Sequence, residues 1–100
     1  MQTDEMINVQ DFCIHHHVEL SFIDIVSESG LVEIIQADET QLVPQNQLPQ
    51  LERLVRLYYE MNINIEGIET ITHLLNRLND MRQEIVLLNN QLRFYENERE

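Results

Sequence analysis

The last third of the chain, from about Asn64 to Tyr95, carries the pattern that most constrains the fold. Its apolar residues are spaced alternately three and four residues apart, which is the heptad repeat of a helix that packs along one seam against a partner helix. The seam residues are Ile71, Leu74, Leu78, Met81, Ile85, Leu88, Leu92 and Tyr95. At about 1.5 Å per residue this helix would be roughly 45 Å long, longer than a small domain is wide. We therefore expect a second copy of the helix to cover the seam.

The start of this helix is marked by its capping residues. Asn64 is a good N-cap residue, and Ile63 and Ile68 have the spacing of a hydrophobic staple. Glu66 and Glu69 place negative charge near the positive end of the helix dipole. We predict that residues 1–63 form one domain and that residues 64–100 form a dimerisation helix.

The charges beside the seam indicate how two such helices would pair. In a parallel dimer Arg77 would face Arg82 of the second helix, which is unfavourable, whereas antiparallel pairing brings Arg77 to Glu84. The early seam residues could instead pack on their own chain, but Ile85 and Leu88 lie too far along the helix for that. The sequence therefore predicts an antiparallel homodimer.

The first 63 residues predict two short helices joined by a tight connection. Residues 1–6 have the character of a frayed end, and Asn8 is the predicted N-cap of the first helix. After the connection at His17 and Val18, a second helix is expected over Glu19–Ser29, and Gly30 is placed to end it in the left-handed conformation. Two helices joined so closely indicate a helix-turn-helix.

A small hairpin and a third helix are expected next. Leu31–Ile35 is rich in β-branched and aliphatic residues and predicts a strand, Ala37–Thr40 predicts a turn, and Gln41–Val43 predicts a return strand. Pro49 fits the first turn of a third helix that extends to about Met61. The expected buried stripe of that helix is Leu51, Leu54, Val55, Tyr58 and Met61.

The charge distribution limits the kinds of partner. There are 18 acidic residues against six arginines and no lysine, which gives a formal net charge of −12, and no Lys or Arg precedes Arg53. Such a surface repels phosphate backbones and anionic lipid, and it attracts a basic protein partner. The second helix of a DNA-binding protein needs Arg or Lys for phosphates and base edges, so the charge argues against DNA binding.

No pattern in the chain predicts catalysis, a cofactor or a membrane segment. The sequence has no Gly-rich phosphate loop or catalytic motif, no apolar run long enough to cross a bilayer, and one cysteine, which fits the cytoplasm. The run His15–His17 and nearby Cys13 raise a zinc hypothesis. However, adjacent helix residues point about 100° apart, and a structural zinc site usually needs four ligands. We expect no metal, and we expect Cys13 to be a buried apolar residue.

Several short motifs, in the order in which they follow one another along the chain, resemble those of a known family. They are Asp11-Phe12-Cys13, Gly30-Leu31-Val32-Glu33, Arg53-Leu54-Val55-Arg56-Leu57 and Asn64-Ile65-Glu66-Gly67-Ile68, continued by Leu74-Leu75-Asn76-Arg77-Leu78. Together they resemble MerR-like proteins and, within that group, the chaperone modulatory protein CbpM family, from about Asn8 to Tyr95. His17 stands where relatives often carry Gly. The resemblance implies a mainly α fold: a MerR-like winged helix-turn-helix with a small β-hairpin wing and a long C-terminal coiled-coil helix.

The function implied by this resemblance is that of a non-catalytic chaperone modulator. CbpM-like proteins bind the J domain of the co-chaperone CbpA and inhibit it, competing with the DnaK-type chaperone for the basic surface of the J domain. The alternatives are a MerR-like DNA-binding transcription regulator and a dimeric adaptor with another protein partner. We expect partner contacts on the third helix and the first half of the long helix, at Glu52, Arg53, Arg56, Glu60, Glu66 and Glu69.

Overall fold

The computed structural model describes residues 5–99 as two compact units, with the boundary between Glu69 and Thr70. The elements in chain order are β1 (Met6–Asn8), α1 (Val9–His16), α2 (Leu20–Glu28), β2 (Ile35–Ala37), β3 (Thr40–Pro44), α3 (Leu48–Val55) and α4 (Ile65–Arg99). A 3-10 turn, Gln45–Gln47, precedes α3, and a π-helical turn, Arg56–Glu60, follows it. The fold is mainly helical, as predicted.

The three strands form one antiparallel sheet in the order β1-β3-β2. The predicted hairpin is present, with Gln36 opposite Gln41, but its first strand begins at Ile35. The strand predicted over Leu31–Ile35 is therefore wrong. Val32 is buried, and Leu31 and Ile34 pack against the core from an irregular segment. These residues are apolar because they fill the core and not because they pair in a sheet.

The strand β1 was not predicted. The prediction of a frayed end over residues 1–6 is wrong at Met6, which pairs with Pro44, while residues 1–4 lie outside the described residues. A three-residue strand is too short to show the alternation of apolar and polar residues that marks longer strands. Its pairing depends instead on β3, more than 30 residues later in the chain.

The third helix differs from its prediction at its C-terminal end. The α-helix ends at Val55, and the amide of Met61 donates to the carbonyl of Arg56, five residues back, at 3.1 Å, which is the hydrogen bond of a π-helix. Leu51 and Leu54 are buried as predicted, but Tyr58 is partly exposed and Met61 is 62% exposed. The wider turn carries these two residues out of the line of the α-helical stripe.

The core of the first unit gathers residues from α1, α2, β3, α3, the first turn of α4 and two connecting segments. The buried apolar residues are Val9, Phe12, Cys13, Val18, Phe22, Ile23, Val26, Val32, Val43, Leu51, Leu54 and Ile68. Ile68 shows that the first turn of α4 belongs to this core. The predicted N-cap of α4 is confirmed, because Oδ1 of Asn64 accepts a hydrogen bond from the amide of Gly67 at 2.8 Å.

The helix α4 continues through Arg99 and so passes Tyr95, where the sequence pattern ended. Its 35 residues correspond to a length of roughly 50 Å. Within residues 5–99, no helix combines the length and the apolar character that crossing a membrane requires.

Candidate protein-interaction surfaces

The connection between α1 and α2 fixes the direction of α2. His17 adopts the left-handed conformation, with φ 57° and ψ 47°, and the amides of His17 and Val18 both donate to the carbonyl of Cys13. Val18 is buried directly after the turn. The left-handed residue and the buried one together make the tight helix-turn-helix connection that the sequence predicted.

The start of α2 is held by the π-helical turn. The backbone amide of Glu19 donates to the hydroxyl of Tyr59 at 3.1 Å. The ring of Phe22 lies 4.8 Å from the ring of Tyr58 and 5.4 Å from the ring of Tyr59, between centroids, which are favourable aromatic distances. Adjacent residues of an α-helix point about 100° apart, so the α-helical period did not predict that two neighbouring tyrosines would contact one ring. The tyrosine pair itself was the only sign of this contact in the sequence.

The end of α2 is closed by a Schellman motif, as Gly30 suggested. Gly30 has φ 75°, its amide donates to the carbonyl of Ser27, and the amide of Leu31 donates to the carbonyl of Val26 at 2.9 Å. Both ends of α2 are therefore fixed by hydrogen bonds, and the helix presents one defined outward face.

The outward face of α2 carries acidic and apolar side chains and no cation. Its exposed residues are Leu20, Ser21, Asp24, Ile25 and Glu28, and the exposed cap residue Glu19 precedes them. Leu20 and Ile25 are 41% and 42% exposed. This face occupies the position at which a DNA-binding helix-turn-helix contacts base edges, but it has no side chain that could neutralise a phosphate.

A groove joins this face to the hairpin. It is lined by Asn8, Gln10, Leu20, Gln36, Glu39, Thr40 and Gln41. The turn of the hairpin places Asp38, in the left-handed conformation, beside Glu39. The hairpin therefore adds further negative charge near α2, and Leu20 is the apolar residue of the groove.

A second groove lies between α1 and α3. Its lining consists of Ile7, Asp11, Phe12, His15, His16, Leu48 and Glu52. The ring of His16 stacks on Phe12 at 4.2 Å between centroids, and His15 meets His16 edge to face. Within residues 5–99, no group of three or more His, Cys, Asp or Glu side chains is arranged to hold a metal ion.

Cys13 is directed into the core, whereas His17 is exposed, so these two residues do not form a pair of ligands. Burial of the Cys13 thiol raises its pKa, and the negative charge of Asp24 raises it further. A buried thiol with a raised pKa is unreactive at neutral pH. Cys13 is thus part of the packing of α1, as expected for a small apolar side chain.

All six residues predicted to contact a partner are exposed: Glu52, Arg53, Arg56, Glu60, Glu66 and Glu69. They fall on three elements. Glu52 lines the groove between α1 and α3, and Nη1 of Arg53 donates to Oε1 of Gln50 at 3.5 Å. Arg56 and Glu60 are the two ends of the π-helical turn, and Glu66 lies in the first turn of α4.

The seam of α4 is largely exposed within the single chain. Ile71 is half-buried, and each later seam residue is between 52% and 67% exposed. Those later residues are Leu74, Leu78, Met81, Ile85, Leu88, Leu92 and Tyr95. Exposed apolar patches of this extent are uncommon on monomeric proteins and usually mark an interaction site.

One comparison with known proteins is positive. The model of the MerR HTH family of regulatory proteins matches residues 7–90, which is most of the chain. No similar curated protein and no similar solved structure was found.

Proposed function

Because the chain belongs to the MerR helix-turn-helix family of regulatory proteins, we propose that it regulates a chaperone system by binding protein. In this proposal it is a non-catalytic modulator that binds the J domain of a CbpA-like or DnaJ-like co-chaperone. Binding denies the J domain to its DnaK-type chaperone. The resemblance of the sequence to the CbpM family, over about Asn8 to Tyr95, supports this choice within the larger family.

One observation carries the proposal: the helix-turn-helix has acidic residues where a DNA-binding relative needs basic ones. No Lys or Arg occurs before Arg53, and the exposed face of α2 presents Asp24 and Glu28. Affinity for DNA comes largely from Lys and Arg that neutralise phosphates. A surface of this sign instead complements the basic face of a J domain.

The proposed mechanism is electrostatic and steric. The negative charge raises the rate of encounter with a basic domain, and salt screens that attraction over a Debye length of about 8 Å at physiological ionic strength. Once bound, the protein covers the basic face that the DnaK-type chaperone would use. No covalent chemistry is needed, so no catalytic residue or cofactor is proposed.

The exposed acidic residues of α3, the π-helical turn and the start of α4 are proposed contacts. They are Glu52, Glu60, Glu66 and Glu69, with Arg53 and Arg56 among them. The two arginines would pair with acidic residues of the partner and so fix its orientation, because complementary charges set the register of an interface more than its affinity.

We also propose that the protein is an antiparallel homodimer through the seam of α4. The seven seam residues after Ile71 are each more than half exposed in one chain, and burying them provides the main driving force for association. The antiparallel arrangement follows from the pairing of Arg77 with Glu84, which avoids the contact between Arg77 and Arg82.

Titration calorimetry tests the proposal directly. The purified protein is titrated with the J domain of a CbpA-like co-chaperone from the same genome at two salt concentrations. We expect a dissociation constant of about 1 μM or lower, which corresponds to about 8 kcal/mol, and weaker binding at the higher salt concentration. Absence of binding by a protein shown to be folded and dimeric would refute it and leave a dimeric adaptor for another partner.

The match to a regulatory helix-turn-helix family favours one second candidate, a MerR-like transcription regulator. That function requires affinity for polyanions, which fluorescence anisotropy with duplex DNA of mixed sequence measures. If the chaperone proposal is correct, no DNA binding is expected at physiological salt, since even non-specific binding depends on basic side chains.

A further inference from the structure

The outward face of α2 has an ordered arrangement of charge and apolar surface. Successive residues lie about 100° apart around a helix, so Ser21, Asp24 and Glu28 form the centre of the exposed face. Leu20 and Ile25 flank this centre on opposite sides, each with about two-fifths of its surface exposed. Asp24 and Glu28, one turn apart, are called the acidic ridge below.

We propose that this face of α2 is a docking surface for the basic protein partner, in addition to the contacts proposed on α3, the π-helical turn and the start of α4. It accepts a helix that carries Lys or Arg with apolar side chains beside them. The inference rests on the proposed function for the existence of that partner, and it adds α2 to the surfaces that contact it. The position that contacts base edges in a DNA-binding helix-turn-helix would here contact protein.

Charge complementarity selects the occupant. The acidic ridge has no Lys or Arg near it in the sequence, since the first is Arg53, and Glu39 continues the negative surface across the groove. Such a surface repels nucleic acid and anionic lipid, and it attracts cationic side chains. A basic protein helix supplies those cations in a row with the same helical spacing.

The flanking apolar residues supply the part of the contact that salt does not weaken. Leu20 lines the groove next to the hairpin, and Ile25 lies on the far side of the ridge. Partly exposed aliphatic side chains in a charged surface are typical of an interface core with a polar rim. A partner with cations alone would leave both of them in water.

The face is also held in place before a partner arrives. The amide of Glu19 is bound to the Tyr59 hydroxyl, Phe22 packs on both tyrosines, and the Schellman motif at Gly30 fixes the other end. A rigid surface loses less conformational entropy on binding. The anchoring of α2 therefore favours a short docking surface of this kind.

Two variants of the full-length protein test the inference by calorimetry against the J domain of a CbpA-like co-chaperone. The double variant Asp24→Lys/Glu28→Lys reverses the ridge, and we expect it to weaken binding at least about tenfold at low salt. The single variant Ile25→Ser removes one apolar flank, and we expect a loss of about fivefold that persists at high salt.

Each variant has a matched control on exposed residues of the same unit. Glu5→Lys/Glu33→Lys changes the net charge equally at two exposed residues outside α2, and it should weaken binding less than about threefold. Ile14→Ser removes an isoleucine that is 75% exposed on α1, and it should not change binding. Circular dichroism and thermal unfolding establish that all four variants remain folded.

A reciprocal experiment tests the same contact with variants of the partner. A J domain with basic residues reversed to Glu should bind the wild-type protein poorly, and it should bind the ridge-reversed variant better than the wild type. If the wild type binds the J domain but the α2 variants behave as their controls do, the inference fails and the proposed function stands. If the wild type does not bind the J domain, the proposed function fails. If the wild type binds duplex DNA through α2, the face belongs to nucleic acid and the inference is overturned.

Discussion

The side chain of Ile63 occupies the space that a side chain at Gly67 would need. A Cβ atom at position 67 would lie 2.7 Å from Cγ2 of Ile63 and 3.1 Å from Oδ1 of Asn64. Ile63 packs against the core cluster that contains Ile68, and the Asn64 oxygen caps α4 through the Gly67 amide. The staple, the cap and the glycine at the start of α4 therefore depend on one another.

Gly67→Ala should destabilise the protein by about 1–3 kcal/mol, as overpacking does. In an unhindered helix the same change stabilises by about 1 kcal/mol, so even the sign of the effect is informative. Urea denaturation measures it. In an Ile63→Leu background, which lacks the Cγ2 branch, the cost of Gly67→Ala should be smaller. Equal costs in the two backgrounds would exclude the contact as the cause.

His17→Gly should stabilise the protein by about 0.5–1 kcal/mol. His17 has φ 57°, and the left-handed conformation costs a residue with a Cβ about 1–2 kcal/mol. Glycine avoids this cost, but its greater freedom in the unfolded chain cancels part of the gain. Thermal and urea unfolding provide the measurement. His17→Ala keeps the Cβ and should bring no gain; stabilisation by Ala equal to that by Gly would contradict the argument.

Tyr59→Phe should lower the free energy of unfolding by about 0.5–1 kcal/mol, because the Glu19 amide loses its acceptor. This value is at the lower end of the range for a hydrogen bond, because Tyr59 is partly exposed and water can replace the hydroxyl. Tyr58→Phe is the matched control. Both rings keep their contact with Phe22, but only the Tyr59 hydroxyl holds the start of α2. Comparable losses in the two variants, measured by urea denaturation, would mean that the hydrogen bond does not matter.

The Cys13 thiol should react slowly and only at high pH. Burial, followed by the charge of Asp24, raises the pKa of the Cys13 thiol. The protonated thiol therefore contributes fully to the free energy of unfolding below the thiol pKa of the unfolded chain, and this contribution is lost as pH rises through the higher pKa of the folded protein. At pH 8, iodoacetamide should alkylate the native protein at least about tenfold more slowly than the urea-unfolded protein. In Asp24→Asn the midpoint of the pH–rate profile should move down. Native and unfolded rates that agree would refute this.

Replacing Ile85 and Leu88 with Asp should convert the proposed dimer to monomer, because it places charge in the apolar seam. Sedimentation equilibrium measures the result, with Gln83→Asp/Asn90→Asp as a control that adds the same charge away from the seam. A double seam variant that remains dimeric would exclude the interface.

Spin labels at position 95, in a Cys13→Ala background, test the orientation of the two helices. If Arg77 pairs with Glu84, the two labels lie about 44 Å apart along the helices, since each is about 14.5 residues from the centre of the pairing. In a parallel dimer they would lie about 10 Å apart, the distance between packed helix axes.

The helix ends could be predicted because their signals are local. Asn8 and Asn64 cap helices with hydrogen bonds to amides two or three residues ahead, and Gly30 ends α2 within its own turn. The sheet could not be read in this way. β1 exists only because β3 is beside it, and Leu31 and Ile34 resemble a strand because the core needs apolar side chains there.

The candidate surfaces were predictable in charge but not in arrangement. The absence of Lys and Arg before Arg53 is visible in the sequence. The contact of Phe22 with Tyr58 and Tyr59, however, depends on a π-helical turn that brings distant residues together. The α-helical period assumed for the third helix placed Met61 inside, and the wider turn places it outside. The pairing of two heptad seams stays a prediction, because it involves a second chain.

The π-helical turn at Arg56–Glu60 makes the length of this segment as important as its composition. A π-helical turn contains one residue more than an α-helical turn needs. Removing Arg56, Leu57 or Glu60 would let the segment close as ordinary α-helix, in which the neighbouring side chains of Tyr58 and Tyr59 point about 100° apart. Homologous chains that differ here by a single-codon deletion would keep both tyrosines in their sequence and yet lose the joint hold of those tyrosines on Phe22. In alignments of such chains, a one-residue gap in this segment should therefore be treated as a change of structure.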